Sequence, residues 1–270
     1  MGDVMRTLAV YRTLVGARIR SEWQYRTSFF LFLASQTLVT VLDIAVIVVL
    51  FTNVDALAGW TVVEVAVLYG INGTAFGLGD VFVSPVEMAA IHIRRGTFDV
   101  FLLRPAGPLL QLIGSEFALR RIGRMAQPVV TLAIVLPLVD VVWRPATILL
   151  LLSTVIAGAV IYGAIWVLTS AIAFWTVETQ EIASSFTYGG KTLANYPIDV
   201  FGAWLRHIVV FLVPVAFVGY VPAAALLGKP LPFGLPPIAG WCSAPVALAL
   251  ALVARTVWTF AVRHYRSTGS

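Results

Sequence analysis

The sequence predicts an all-α polytopic membrane protein with six transmembrane helices. Of its 270 residues, 60% are hydrophobic and only 11% are charged, whereas about a quarter of the residues in a soluble domain are charged. The mean hydropathy is +0.93. The apolar runs are about 20 residues long, the length that a helix needs to cross a hydrocarbon core, and lack the ten-residue alternation of a barrel.

The chain begins with a segment, 1–28, in which residues 3–23 predict an amphipathic interfacial helix. Arginines lie beside and opposite an apolar stripe, so the helix is expected to lie along the membrane surface. A soluble helix packed on a cytosolic partner is the alternative. The apolar stripe consists of Val4, Leu8, Tyr11, Val15, Ile19 and Trp23.

Six apolar spans follow, each long enough for a bilayer core of about 30 Å. The third is short and contains Pro137. The stretch 178–204 mixes charged and apolar residues and is interpreted as cytoplasmic, re-entrant or part of a span. The predicted spans are 29–51, 60–83, 126–142, 147–175, 206–227 and 242–262.

The distribution of Lys and Arg predicts which side of the membrane each loop faces. With the N-terminus inside, 16 of the 18 fall in inner segments, including 84–125 and 176–206, and only Arg144 and Lys229 lie outside. Cytoplasmic loops are rich in Lys and Arg. Both termini are therefore expected to be cytoplasmic.

The loop 84–125 after the second span predicts short helices on the cytoplasmic side. Ser84 resembles an N-cap before a proline, and Gly96 is a typical helix stop. Arg104 precedes another proline, and Pro108 can open a further helix that carries Glu116 and three arginines toward the third span.

The last external loop, 228–240, contains four prolines and three glycines. Proline fixes the backbone and interrupts helices, so a rigid external segment is expected before the sixth span. The single cysteine, Cys242, excludes an intramolecular disulfide. Residues 1–270 are expected to form one transmembrane domain.

Gly189-Gly190-Lys191-Thr192 matches the end of a phosphate-binding loop, but Ser185 stands where that motif requires its first glycine. We interpret these residues as a polar turn beside a span. The chain is therefore not expected to bind ATP by itself.

Gly77-Leu78-Gly79-Asp80 matches the GxGD of intramembrane aspartyl proteases, which need a second aspartate close by. Asp43 is the candidate partner, yet it lies about 21 Å along its helix from Phe29 at 1.5 Å per residue. The two carboxylates should therefore lie at different depths. An intramembrane aspartyl protease is the most specific alternative function, and a non-catalytic membrane scaffold is a second.

Asp43 and Glu64 are candidate intramembrane acids, since a charge at a helix centre costs roughly 3 kcal/mol on insertion scales. Glu64 also fits an interfacial position. The second span carries a stripe of small residues that allows close helix approach or lines a pathway. That stripe is Gly70, Gly73, Thr74 and Gly77.

Catalytic and metal-binding signatures are missing from the sequence. The three histidines are far apart, and no HExxH motif, nucleophile elbow or cysteine–histidine cluster occurs. No catalytic residue and no metal ligand is predicted.

Three segments together resemble the permease subunits of type-two ABC exporters. They are RRGTFDVFLLRP at 94–105, NYPIDVFGAWLR at 195–206 and VPVAFVGYVPA at 213–223. The resemblance also covers the order of elements, from an interfacial helix through six spans to an elaborated external segment.

The resemblance implies a half-transporter that binds no cofactor itself. A second permease, identical or different, would complete the pathway, and two separate ABC ATPase subunits would bind ATP and Mg²⁺. The loop around 85–104 would be the coupling helix. Its expected contacts with the ATPase are Glu87, Arg94, Arg95, Phe98, Asp99, Phe101 and Arg104.

The location implied is a bacterial inner membrane, with lipid as a further partner and no role for nucleic acid. Few charges fall in the spans. Hydrophobic, amphiphilic or drug-like cargo is therefore expected, and Asp43 would tolerate a cation. The pathway is expected between the spans that carry Asp43 and the glycine stripe and the span 206–227.

Overall fold

The part of the protein that the structure describes consists of helices and the loops between them, without a β-strand. The structure is a computed structural model, and it describes residues 16, 26–52, 54–115, 120–176 and 180–265. The predicted interfacial helix over 3–23 falls almost wholly outside the described residues. The α-helices are α1 (Arg26–Leu50), α2 (Val62–Phe82), α3 (Ala89–Arg94), α4 (Asp99–Leu102), α5 (Pro108–Ser115), α6 (Arg120–Val135), α7 (Pro145–Ala171), α8 (Gln180–Leu193), α9 (Ala203–His207), α10 (Tyr220–Leu226) and α11 (Ser243–Arg263).

Five helices in the described part of the chain are long and apolar enough to cross a membrane. They confirm the all-α polytopic class and five of the predicted spans. The third ends in a 3-10 turn that contains Pro137. The five are Thr27–Leu50, Val62–Phe82, Arg121–Leu138, Pro145–Phe174 and Pro237–Arg263.

The second span, α2, lies at the centre of the bundle. Most of its residues are buried, whereas few residues of α1 are. Helices α6 and α7 pack on α2, and α11 packs on α7. An apolar helix with so little burial in its own subunit faces lipid or another chain.

The two ends of the bundle are named here by residues of α2. Trp60 precedes the N-terminus of α2, where Thr61 and Glu64 form a capping box. Phe82 ends the helix. We call these the Trp60 end and the Phe82 end.

The predicted fifth span, 206–227, is a bent pair of helices, Ala203–Leu212 and Val215–Leu226, with an angle of 74° between them. Both ends of the pair lie at the Trp60 end. The Tyr220 ring lies 5.3 Å from the Trp60 ring, and the His207 ring lies 4.6 Å from Phe233 of the last loop.

The break in the pair lies deeper in the bundle. Val213 and Pro214 line an apolar cavity with Leu168 and Phe186, toward the Phe82 end. The segment therefore enters from the Trp60 end, reaches the interior and returns. It is a re-entrant hairpin, and the placement of a crossing over 206–227 is wrong.

The fifth crossing is made instead by α8 and the chain that follows it. Near its start, Phe186 meets the Phe82 end of α7. Farther along, Asn195 bonds to Asn72 in the middle of α2, and Asp199 accepts a hydrogen bond from Tyr220 at the Trp60 end. The described part of the ambiguous stretch, 180–204, thus belongs to a span, and the described residues contain six crossings.

This topology moves both of the cations that the segment 176–206 contributed to the predicted orientation: Lys191 lies at membrane depth, over the Phe76 ring of α2. Arg206 had been counted in an inner segment, but it lies 3.9 Å from Asp199 at the Trp60 end. Described cations still gather at the Phe82 end, which holds Arg94, Arg95, Arg104, Arg121, Arg124 and Arg263.

The last loop contains no α-helix between residues 228 and 242, where two 3-10 turns, Pro232–Gly234 and Pro237–Cys242, replace it. Gly228 and Gly234 adopt positive φ values of 66° and 68°, which only glycine takes without strain. Lys229 fastens this loop to α2, since its Nζ lies 2.9 Å from the Glu64 carboxylate.

Candidate functional site

The loop at the Phe82 end begins with a 3-10 turn, Ser84–Met88, that runs into α3. Ser84 was predicted to cap this helix, but its hydroxyl donates to the Asp80 carboxylate at 2.6 Å, and Val83 holds the cap position. Gly96 ends the segment as predicted, with a φ of +66°.

The surface of the loop is formed by α3, α4 and the turn after them. Arg94, Arg95 and Arg104 are exposed, and Leu103 has 86% of its surface accessible. Among the described residues none of these arginines forms an ion pair. We call the exposed residues 94–95 and 100–104, apart from the buried Phe101, the docking surface.

Phe98 and Phe101 were expected to contact an ATPase through their rings, but both rings are buried inside this chain. The Phe98 ring lies 5.2 Å from Phe174, which follows α7, and 5.1 Å from Tyr265, which follows α11. The Phe101 ring lies 4.9 Å from His92. Phe98 thus fixes the loop to the ends of two spans, Phe101 packs within the loop, and neither ring is part of the docking surface.

Glu87 is also turned toward the bundle. Its carboxylate accepts a hydrogen bond of 2.6 Å from the indole of Trp166 on α7. Burial raises the pKa of Glu87 above its ordinary value, and the bond from Trp166 opposes this. Asp99 lies partly buried at the start of α4.

A buried ion cluster lies where the loop meets α2 and α6. The Asp80 carboxylate is almost fully buried and lies 3.1 Å from Arg124 and 3.6 Å from Arg121. Two guanidinium groups thus lie within ion-pair distance of one buried carboxylate. An aspartyl protease needs a second carboxylate there, and the structure places Asp43 elsewhere, bonded to Tyr69.

The glycine stripe of α2 packs directly on α6. A Cβ at Gly70, Gly73 or Gly77 would come within 2.9, 2.6 and 2.9 Å of side-chain atoms of α6, from Leu132, Pro128 and Met125 respectively. Both backbones therefore approach closely, as small residues allow. Of the two readings of this stripe, the structure shows helix packing.

Thr74 completes that stripe. Its buried hydroxyl donates to the carbonyl of Gly70 at 2.7 Å, which satisfies a polar group that would be costly in an apolar interior.

Asp43 lies in a polar seam on α1. Its carboxylate accepts a hydrogen bond of 3.2 Å from the Tyr69 hydroxyl of α2. The side-chain amide of Gln127 on α6 lies between the hydroxyls of Thr37 and Thr40, at 2.9 and 2.6 Å. These contacts hold α1 against α2 and α6.

Sequence reasoning missed Lys191. The sequence predicts a polar turn here, but residues 189–192 lie entirely within α8, at the depth of Asn72. The Lys191 ammonium lies 5.0 Å from the centre of the Phe76 ring. The missed signal was a helical one, because Ser184, Tyr188, Lys191 and Asn195 recur every three or four residues.

Residues 189–192 are helical and therefore cannot form a phosphate-binding loop, since that loop needs irregular backbone. Within the described ranges, no three His, Cys, Asp or Glu residues come together in a way that could hold a metal ion.

A family model described as ABC-2 family transporter protein matches residues 37–269. This match covers five of the spans completely and most of the first, together with the loop at the Phe82 end and the re-entrant hairpin. The chain belongs to the ABC-2 transporter family. No curated protein and no solved structure matches it.

As an ABC-2 protein, the chain is a multi-pass membrane component of an ABC transporter. The geometry distinguishes two groups among the residues considered for its function. Arg94, Arg95 and Arg104 lie on the docking surface. Glu87 and Phe98 lie beneath it and connect it to the spans, and Phe101 is buried beneath it within the loop.

Proposed function

We propose that the chain is the permease subunit of an ATP-driven exporter in a bacterial cytoplasmic membrane. The Phe82 end and both termini face the cytoplasm, and two copies, or this chain and a related one, enclose the pathway. Two separate ATPase subunits supply ATP and Mg²⁺ and bind the docking surface.

One observation carries this proposal: the loop that bears the docking surface has buried contacts with three spans and is linked through Asp80 to a fourth. Phe98 lies against Phe174 and Tyr265, at the ends of α7 and α11. Ser84 is bonded to Asp80 of α2, which pairs with Arg124 of α6. A displacement of the loop is therefore transmitted to α2, α6, α7 and α11, because packed interiors deform little.

The mechanism follows from these contacts. Closure of an ATPase dimer displaces the docking surface, and the Glu87–Trp166 bond and the Phe98 contacts carry that motion to the spans. The pathway lies beside α1, α2 and α8, where polar side chains occur at membrane depth. Its cargo is hydrophobic, amphiphilic or drug-like.

Co-purification tests the docking surface. The double variant Arg95→Glu and Arg104→Glu should recover much less of the ATPase subunit that accompanies the wild-type permease, because both side chains are exposed cations. Arg144→Glu is the matched control, since Arg144 is an exposed arginine at the Trp60 end.

Equal recovery of the ATPase with the double variant would contradict docking at this surface. Wild-type protein that recovers no ATPase would favour a scaffold. Folding is checked in each variant by its elution profile in detergent.

A further inference from the structure

Two opposite charges lie over the same face of α2 at membrane depth. Asp43 of α1 accepts a hydrogen bond from Tyr69, and the Lys191 ammonium of α8 lies over the Phe76 ring. Tyr69 and Phe76 are seven residues apart, so they share one face of α2 and are separated by about 10 Å along its axis. We call Asp43, Tyr69, Phe76, Tyr188 and Lys191 the α1–α8 groove.

Neither charge is neutralised by an ion pair within 4.0 Å among the described residues. Lys191 interacts electrostatically with Asp43, Asp80 and Arg124 at longer range. Asp80 already has two arginine partners. Asp43 and Lys191 are thus left as a separated pair of opposite charges on one face of α2.

The walls of the groove combine polar and apolar surface. Tyr188 lies on the same stripe of α8 as Lys191, its ring is 5.6 Å from Phe76, and it is exposed, so the groove is open on that side. Ser185 and Thr192 are exposed beside it, and Phe186 is half exposed. Such a surface suits a molecule with a polar head and an apolar tail.

The cost of an unpaired charge in an apolar environment decides which charges the polar head of the ligand must carry. A charge away from water is costly unless it is paired. A singly charged ligand would pair with either Asp43 or Lys191 and would leave the second side chain without a counter-charge in an apolar environment. A ligand that carries both signs can pair with both.

We infer that the α1–α8 groove binds the headgroup of a zwitterionic amphiphile, with Asp43 taking the cationic part and Lys191 the anionic part. This inference rests on the proposed function, because it identifies the groove as part of the transport pathway. The aromatic rings of Phe76 and Tyr188 lie beside Lys191 and contact the start of the tail, which follows the anionic part.

Equilibrium binding of three amphiphiles with the same twelve-carbon chain tests the inference. Dodecylphosphocholine carries both charges, dodecyltrimethylammonium only the positive one and dodecyl phosphate only negative ones. Each is dialysed, below its micellar concentration, against full-length permease in nanodiscs, and binding to empty nanodiscs is subtracted.

The wild-type permease is expected to bind dodecylphosphocholine about tenfold more tightly than either singly charged probe, the size expected for one extra charged contact. Asp43→Asn should reverse the preference toward dodecyl phosphate. Lys191→Gln should reverse it toward dodecyltrimethylammonium. A merely structural role for either residue would weaken all three probes together.

Arg144→Gln removes a distant exposed charge and should leave the order of the three probes unchanged. A wild-type preference for a singly charged probe, or an order that Asp43→Asn and Lys191→Gln leave unchanged, would overturn the inference. The binding requires no ATPase, so its failure is distinguishable from a failure of docking, which co-purification measures.

Discussion

The guanidinium of Arg124 lies 3.1 Å from the carboxylate of Asp80, and this contact joins the third span to the second just beneath the loop. Because Asp80 is buried, its removal leaves two arginines without their counter-charge. Asp80→Asn should lower the free energy of unfolding by about 3 kcal/mol, measured by titration with dodecyl sulfate in mixed micelles.

Adding Arg124→Gln to Asp80→Asn supplies the control, since the double variant loses charges of both signs. It should recover part of the lost stability. A double variant in which the two losses simply add would show that the pair contributes no coupling.

The contact between Gly73 and Pro128 makes a second prediction. A Cβ at Gly73 would lie 2.6 Å from the Pro128 Cβ, so Gly73→Ala must separate α2 from α6. We expect a loss of about 1–3 kcal/mol in the free energy of unfolding. Gly189→Ala is the matched control, because nothing lies within 4 Å of the added Cβ; destabilisation of both variants alike would contradict the packing argument.

Variants of Phe98 and Leu103 should distinguish the two roles of the loop, which are attachment to the spans and contact with the ATPase. Phe98→Ala removes a fully buried ring and should cost about 3–5 kcal/mol, with faster amide hydrogen exchange across 89–104. Leu103→Ala truncates an exposed side chain and should leave hydrogen exchange unchanged while less ATPase co-purifies. Equal hydrogen exchange in the two variants would refute this division.

The buried Glu87 should make the free energy of unfolding of this protein depend on pH. Its folded-state pKa is raised above 4.5, chiefly by burial, so the folded protein holds this proton more tightly than the unfolded chain. The contribution of Glu87 to stability is therefore greatest below pH 4.5 and declines as the pH rises through the folded-state pKa.

Glu87→Gln removes this titration and keeps an oxygen for the Trp166 indole. The difference in unfolding free energy between the variant and the wild type should grow in favour of the variant as the pH rises from about 4.5. It is measured from pH 4 to 8, and a difference that is constant with pH would contradict the assignment.

The re-entrant hairpin makes a prediction about labelling. In a Cys242→Ser background, single cysteines at Arg206 and Lys229 should react with an impermeant maleimide added from the same side. A cysteine at Arg95 should react only from the other side. Labelling of position 206 together with position 95 would restore a crossing over 206–227.

The sequence predicts most of the architecture because length and hydropathy alone decide whether a helix can span a bilayer. Hydropathy could not separate the hairpin from a crossing, since 206–227 is as apolar as a true span. What decides is the contact of Tyr220 with Trp60 and of His207 with Phe233, and neither leaves a local pattern.

The sequence predicts only part of the candidate site, because some of its features are local and others depend on contacts between distant residues. The exposure of Arg94 and Arg95 can be predicted, because both are charged residues in a polar loop. The burial of Phe98 depends on Phe174 and Tyr265, which are distant in sequence. Lys191 was overlooked because two neighbouring glycines indicate a turn, whereas contacts with α2 and α7 stabilise a helix through them.

The hairpin at the Trp60 end has a consequence for how a passage through this protein can open. A helix that crosses the whole bilayer has polar backbone ends anchored on both sides, so moving it disturbs both surfaces. The two ends of the hairpin lie at one surface only, where Tyr220 donates a hydrogen bond to Asp199 and Lys229 of the following loop pairs with Glu64, while its middle is buried in the bundle. We therefore expect any movement of the hairpin during transport to change the Trp60 end of the bundle and to leave the Phe82 end in place.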